Sequence, residues 1–170
     1  GYAATRARGE RSNAGVPLPF RLFMWICCSW LMAFVAFPAW VVGTGAELTV
    51  GILGGAALTL AGLVLEAVAD QQKQAAKAAS PGRFVTGGLY ARIRHPNYLG
   101  EILFQLGLVA VSAAAAPTGL ALALGTLGPL YIIVLMVAAA RDQDEQQLTR
   151  YGSDPDYREY RARSGSLLPG

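Results

Sequence analysis

The run from residue 87 to residue 101, Gly-Gly-Leu-Tyr-Ala-Arg-Ile-Arg-His-Pro-Asn-Tyr-Leu-Gly-Glu, gathers most of the side chains that could do chemistry. Pro96 suits the first position of a helix, where a missing N–H is no loss, and this makes His95 the N-cap or its neighbour. The open amides of such a first turn attract anions. Arg92 and Arg94 add positive charge beside them, so the segment suits a phosphate or a carboxylate. Arginines in this position also snorkel to the headgroup level and merely fix orientation, which is the plainer reading. Glu101 and Glu66 carry more information, because a carboxylate within an apolar span is costly unless paired, protonated or facing a wet cavity. Both lie near the loop end of their segments, at similar depth on one side, and could line one polar pocket. Asp70, followed by Lys73 and Lys77, reads as an ion-pair ladder on a solvated helix face. In the tail, Tyr151, Tyr157 and Tyr160 alternate with Arg158, Arg161 and Arg163, either as interfacial anchors or as contacts to a nucleotide-like ligand.

The elements that must hold these residues follow from composition. With 54% apolar and 15% charged residues, the 170-residue chain departs from soluble proteins. A bilayer core about 30 Å thick needs roughly 20 apolar residues of helix. Four stretches qualify, at 22–42, 48–69, 99–116 and 119–140. The expected fold is all-α, an integral membrane bundle of four transmembrane helices in a single domain, 1–170, with a short amphipathic or irregular C-terminal tail. Residues 1–19 form a basic N-terminal segment, 20–140 the four helices and 141–170 a surface tail, with Asp154-Pro155 as a break flanked by short helices.

All 14 Lys and Arg residues fall before the first stretch, in the 73–94 loop or from residue 141 onward, so both termini and the central loop belong on one side, cytoplasmic or stromal in type. The net charge of +3 is therefore a topology signal, and no nucleic-acid partner is expected. Residues 67–79 are good helix formers, so the second helix should run past the membrane surface until Ser80-Pro81-Gly82 ends it. Gly51 and Gly55 offer a close helix contact, and Pro129 should bend the fourth helix near Gly128. Adjacent Cys27 and Cys28 read as packing residues, and with a single histidine no metal site is expected. The start at Gly1, with Arg6, Arg8 and Arg11, fits a processed or incomplete chain, as a targeting remnant or as a basic loop between spans.

Three segments, Glu66 to Lys73, Gly88 to Tyr90 and Arg94 to Glu101, together resemble a superfamily of membrane enzymes. It includes steroid 5-alpha-reductases, sterol reductases and isoprenylcysteine carboxyl methyltransferases. The resemblance runs from about Asn13 onward and is to the superfamily's C-terminal half, nearest its steroid-reductase-like branch. It implies NADPH as cofactor, with S-adenosylmethionine as the alternative. It implies nicotinamide contacts for Asn97 and Glu101, and a cofactor-binding set of Arg92, Arg94, His95, Asn97, Tyr98, Glu101, Glu66, Tyr157, Tyr160 and Arg163. The Tyr157-to-Tyr160 segment with Leu167-Leu168-Pro169 is similar to the closing segment that helps cover the cofactor. Family members usually carry further helices upstream, from which the reductases polarise the substrate carbonyl. A fragment, a site completed by another membrane subunit and a non-catalytic subunit of a larger complex all fit their absence here. The leading expectation is reduction of an enone in a lipophilic, steroid- or isoprenoid-like substrate, with membrane lipids as surroundings and the catalytic residues unassigned. The alternatives are methyl transfer to a lipid-linked acceptor and a purely structural membrane subunit.

Overall fold

The computed structural model describes residues 16–170; the basic segment 1–15 and the side chains of Met24, Cys27 and Phe34 lie outside the described residues. Four helices are long and apolar enough to cross a membrane: α1 (Leu18–Gly43), α2 (Val50–Ala79), α3 (Pro96–Ala115) and α4 (Gly119–Tyr151). A one-turn 3₁₀ helix (Gly88–Ala91) precedes α3, and the short polar α5 (Pro155–Arg163) follows α4. Among the described residues there is no strand, and the protein is all-α and multi-pass, with four helices fit to span a membrane. The chain divides into two compact units, with the boundary after Ala33, inside α1. The first contributes one apolar helical stretch from Leu18; the second holds everything below.

Local chemistry accounts for the boundaries. Thr49 and Thr118 cap α2 and α4, their hydroxyls accepting from the amides of Ile52 and Ala121 at 3.3 and 3.2 Å. α2 continues to Ala79, with Ser80 as its C-cap, as the Ala-, Gln- and Lys-rich stretch predicts. Pro96 opens α3, three residues earlier than the apolar pattern alone indicates, with His95 as the N-cap. α4 departs further from expectation. It runs unbroken past residue 140 to Tyr151, so the stretch before Asp154 is an extension of α4 and not a separate short helix. Nothing between Ala138 and Leu148 interrupts a helix, and the break comes only at Gly152.

α2 and α3 make the closest pairing, and glycine permits it. A Cβ added to Gly62 would lie 2.6 Å from the Gly100 carbonyl, and one on Gly107 would lie 2.6 Å from that of Gly55. The matched glycines are seven residues apart on each helix and run in opposite directions, the repeat of an antiparallel seam. Thr59 adds a polar link, its hydroxyl donating to Gly55 within α2 at 3.0 Å and to the Phe104 carbonyl of α3 at 3.4 Å. Buried Ser112 does the same between α3 and α4, donating to the Gly125 carbonyl at 3.1 Å. In hydrocarbon, where burial of apolar surface drives no association, such close contacts and hydrogen bonds hold helices together.

Substituting Gly62→Val should therefore cost about 2–3 kcal/mol by overpacking. Gly54→Ala, where an added Cβ meets nothing within 4 Å, should leave stability unchanged. Thermal unfolding of the two variants in one detergent checks both.

Candidate functional site

The loop leaving α2 is pinned before it reaches α3. Gln72 Oε1 accepts from the Leu89 amide at 2.9 Å. Gly88 lies against that same side chain with φ +62°, where a Cβ would come within 2.7 Å of Gln72 Cδ. Positive φ and close approach both call for glycine. Tyr160 of α5 donates its hydroxyl to the Tyr90 carbonyl at 2.8 Å. Phe84 of the loop packs on Tyr151, Tyr157 and Tyr160, with ring centroids 5.1–5.8 Å apart.

At the N-terminus of α3, three segments meet on one carboxylate. Arg94 donates from Nε and Nη2 to the two oxygens of Asp144, each at 2.9 Å, a bidentate fork. His95 Nε2 lies 2.8 Å from Asp144 Oδ1. Arg94 Nη1 donates to the carbonyl of Ser164, and the backbone completes the clasp. The Arg94 and His95 amides donate to the carbonyls of Gly165 and Ser166 at 2.8 and 3.0 Å, and the Gly165 amide returns a bond to the Arg92 carbonyl at 3.0 Å. Side-chain exposure is 9% for Arg94 and 14% for Asp144, so this is a nearly dry ion pair. The hydrogen bond to Asp144 outweighs burial and holds the Arg94 guanidinium charged. Burial pushes His95 below its ordinary pKa, against the opposing pull of Asp144. The imidazole is neutral at pH 7. With Asp144 ionised by Arg94, Nε2 must carry the hydrogen and Nδ1 is left as an acceptor.

Beside this hub lies a cavity of about 170 Å³. Lys73 and Lys77 of α2 and Arg150 of α4 bring cations to it; Gln143, Gln146 and Gln147 bring amides; Tyr90, Arg94, His95 and Tyr160 form its floor and wall. The Tyr90 side chain is 3% exposed and its hydroxyl has no partner. Burial raises its pKa, so it remains an O–H donor at neutral pH.

The expected site residues are thus sorted by the fold. Arg94, His95 and Tyr160 line the cavity, but the Arg94 fork is spent on Asp144 and Ser164, which makes it a strut more than a free anion ligand. Tyr157 and Tyr160 are 0% and 2% exposed, packing residues inside an interface that was expected at the surface. Burial pushes the Tyr160 hydroxyl up to about 12. Arg163 is exposed and pairs with Glu159 at 3.3 Å; Arg92 is exposed; Asn97 and Tyr98 are half-buried, with Tyr98 stacked 5.4 Å from His95. Neither Glu66 nor Glu101 lines this cavity; the Glu66 backbone packs against Gly100, and Glu101 accepts from Gln105 Nε2 at 2.6 Å. Nor does an Asp70 ladder form. Among the described residues no ion pair joins Asp70 to Lys73 or Lys77, and Lys77 donates instead to the Arg83 carbonyl. Asp144 was not foreseen: it is one of three acids in a mixed-charge run, and its partners lie about fifty residues upstream.

Asp144→Asn should cost about 3 kcal/mol or more, because it strands a buried guanidinium. Lower thermal stability together with faster proteolytic removal of the tail beyond Ser164 is the expected result. His95 binds fewer protons folded than unfolded, so stability should fall as pH drops below about 6.5, the ordinary histidine value, toward the lowered folded one. Unfolding midpoints from pH 7.5 to 5 check this, and His95→Gln should flatten the profile.

No curated protein and no solved structure matches the chain. A family model described as "Protein of unknown function (DUF1295)" matches residues 2–164, nearly the whole length. That family is related to steroid 5-alpha-reductase-like membrane proteins, and this chain belongs to it.

Proposed function

We propose that the protein is a membrane-embedded reductase that takes NADPH at the basic cavity and reduces an enone-type bond in a lipophilic substrate. The observation that carries this reading is the charge of the cavity: Lys73, Lys77 and Arg150 line a space with no carboxylate in its described lining, and Asp144 behind it is already paired with Arg94. Phosphates suit such a space. S-adenosylmethionine, with its sulfonium and ammonium groups, does not, and the methyltransferase alternative is the weaker one. Cofactor sites commonly span about 300–1,000 Å³. A cavity of about 170 Å³ therefore receives one end of the dinucleotide, the phosphate-bearing end. The unpartnered Tyr90 hydroxyl supplies a further donor there.

Bound NADPH would supply hydride, and this chain's residues would bind and orient it. Tyr160 and the Ser164–Ser166 strap would close the cavity from the tail side. The basic loop and tail are the positive face, which we assign to the cytoplasmic or stromal-type side. An apolar groove of about 540 Å³ along α2, lined by Leu60, Val64, Val68 and Leu89, is the approach we assign to the substrate from the bilayer.

In lipid nanodiscs, NADPH should bind measurably, more weakly as salt rises, while S-adenosylmethionine should not. Lys77→Ala and Arg150→Ala should each raise the NADPH Kd about tenfold, ~1.4 kcal/mol. Equal thermal shifts with both cofactors, or none with either, would refute the assignment.

A further inference from the structure

Two features of the basic cavity work against stability. Lys73 and Lys77 stand one turn apart on α2 and Arg150 reaches the same space from α4, like charges with no carboxylate among the described lining residues. Neither Lys73 nor Arg150 has an ion-pair partner among the described residues, and Lys77 uses one of its three donors on the Arg83 carbonyl. The second feature is Tyr90. It lines the cavity at 3% exposure, and its hydroxyl has no hydrogen-bond partner among the described residues. A buried donor left unmade is destabilising, whereas phenylalanine would fill the same space without that penalty. The backbone there is fixed independently of the hydroxyl: the Tyr90 amide donates to the Gly87 carbonyl at 3.1 Å, and the Tyr90 carbonyl accepts from the Tyr160 hydroxyl at 2.8 Å. An oxyanion in the cavity answers both features at once, accepting from the phenol and neutralising the cations.

The heights of the cations along their helices select the source of that anion. Lys77 lies eight residues beyond Ala69, where the apolar stretch of α2 ends, and Arg150 ten beyond Ala140 on α4, distances of about 12 and 15 Å along the helix. A headgroup layer adds only about 5–8 Å on each side of the hydrocarbon, so both cations stand on its aqueous side. Charge selects the group. At pH 7 a phosphomonoester carries nearly two negative charges and three acceptor oxygens, where a diester carries one charge. We propose that Lys73, Lys77, Arg150 and the Tyr90 hydroxyl form a binding site for a soluble phosphomonoester. The site deepens the cofactor reading and rests on it only for the identity of the molecule: in NADPH the group would be the 2′-phosphate, which NADH lacks.

Adenosine 2′-monophosphate and adenosine 2′,3′-cyclic phosphate probe the site, since they share a nucleoside and differ as monoester and diester. Calorimetry on the intact protein in phosphatidylcholine nanodiscs, at physiological salt, should give a monoester Kd about tenfold or more below that of the cyclic diester. Equal values overturn the proposal. Tyr90→Phe should raise the monoester Kd about tenfold, the size of one hydrogen bond to a charged group, while the ligand-free unfolding midpoint stays level or rises. Undiminished affinity in this variant overturns the proposal, and so does a lower midpoint or a failure to fold, which would make the hydroxyl structural. Lys73→Gln should weaken the monoester about tenfold and flatten the salt dependence of its Kd; unchanged affinity counts against the site in the same way. Replacing part of the phosphatidylcholine by phosphatidic acid should leave the monoester Kd unchanged, whereas a competitive rise makes the ligand a lipid headgroup and overturns the soluble source. NADPH and NADH titrated into the same samples separate the two ideas. Monoester binding without NADPH binding refutes the reductase alone, and NADPH binding no tighter than NADH, with no monoester binding, refutes the phosphomonoester site alone.

Discussion

One carboxylate organises the membrane-surface half of this protein. Asp144 takes the fork of Arg94 and the imidazole of His95, and so ties the far end of α4 to the start of α3. The same Arg94 reaches Ser164, and its backbone neighbours bind Gly165 and Ser166, which brings in the tail. A buried ion pair of this kind adds little net stability over an apolar contact, yet losing one partner is severe because the other charge stays buried. It therefore works as a registration device: three segments distant in sequence have one arrangement in which the Arg94 fork, the Asp144 carboxylate and the amides of Arg94 and His95 are all paired.

The basic cavity is a by-product of that arrangement. Arg94 is consumed by Asp144, so the net positive charge comes from residues on two different helices, Lys73 and Lys77 of α2 and Arg150 of α4. The α4 helix has to extend well past the apolar stretch for Arg150 to arrive there, and the aromatic packing of Phe84 on Tyr151, Tyr157 and Tyr160 holds the loop against it. Polar surface and apolar span are joined through α3, whose N-cap His95 belongs to the hub and whose second turn carries Glu101.

Within the bilayer the governing constraint is backbone proximity. Gly55 and Gly62 face Gly107 and Gly100, and no larger residue would fit at these separations. Packing and hydrogen bonds such as those of Thr59 and Ser112 replace the hydrophobic drive that lipid removes. The close approach of Gly100 to the Glu66 backbone follows from that crossing as a geometric consequence.

Much of the fold was legible in the amino-acid order, because each membrane helix must satisfy its own backbone and so announces itself as a long apolar run. The four spans, the tight turns between them, Pro96 as the opening of α3 and the arrival of Glu66 and Glu101 at similar depth were all local or periodic signals. What remained hidden was pairing at long range. Nothing near Asp144 distinguishes it from Asp142 or Glu145, and nothing near Tyr157 and Tyr160 marks them as buried, since both properties come from residues about fifty to seventy positions away. Gly51 and Gly55 suggested a close contact, and both make one, against Ala114 and Gly107; that Gly62 extends the seam was settled only when α3 supplied the matching Gly100 in the opposite direction. Sequence alone determined which four segments are long and apolar enough to span a membrane; tertiary structure decided which charges cancel and which face the cavity, because cancellation depends on partners that only the folded chain brings within hydrogen-bonding distance.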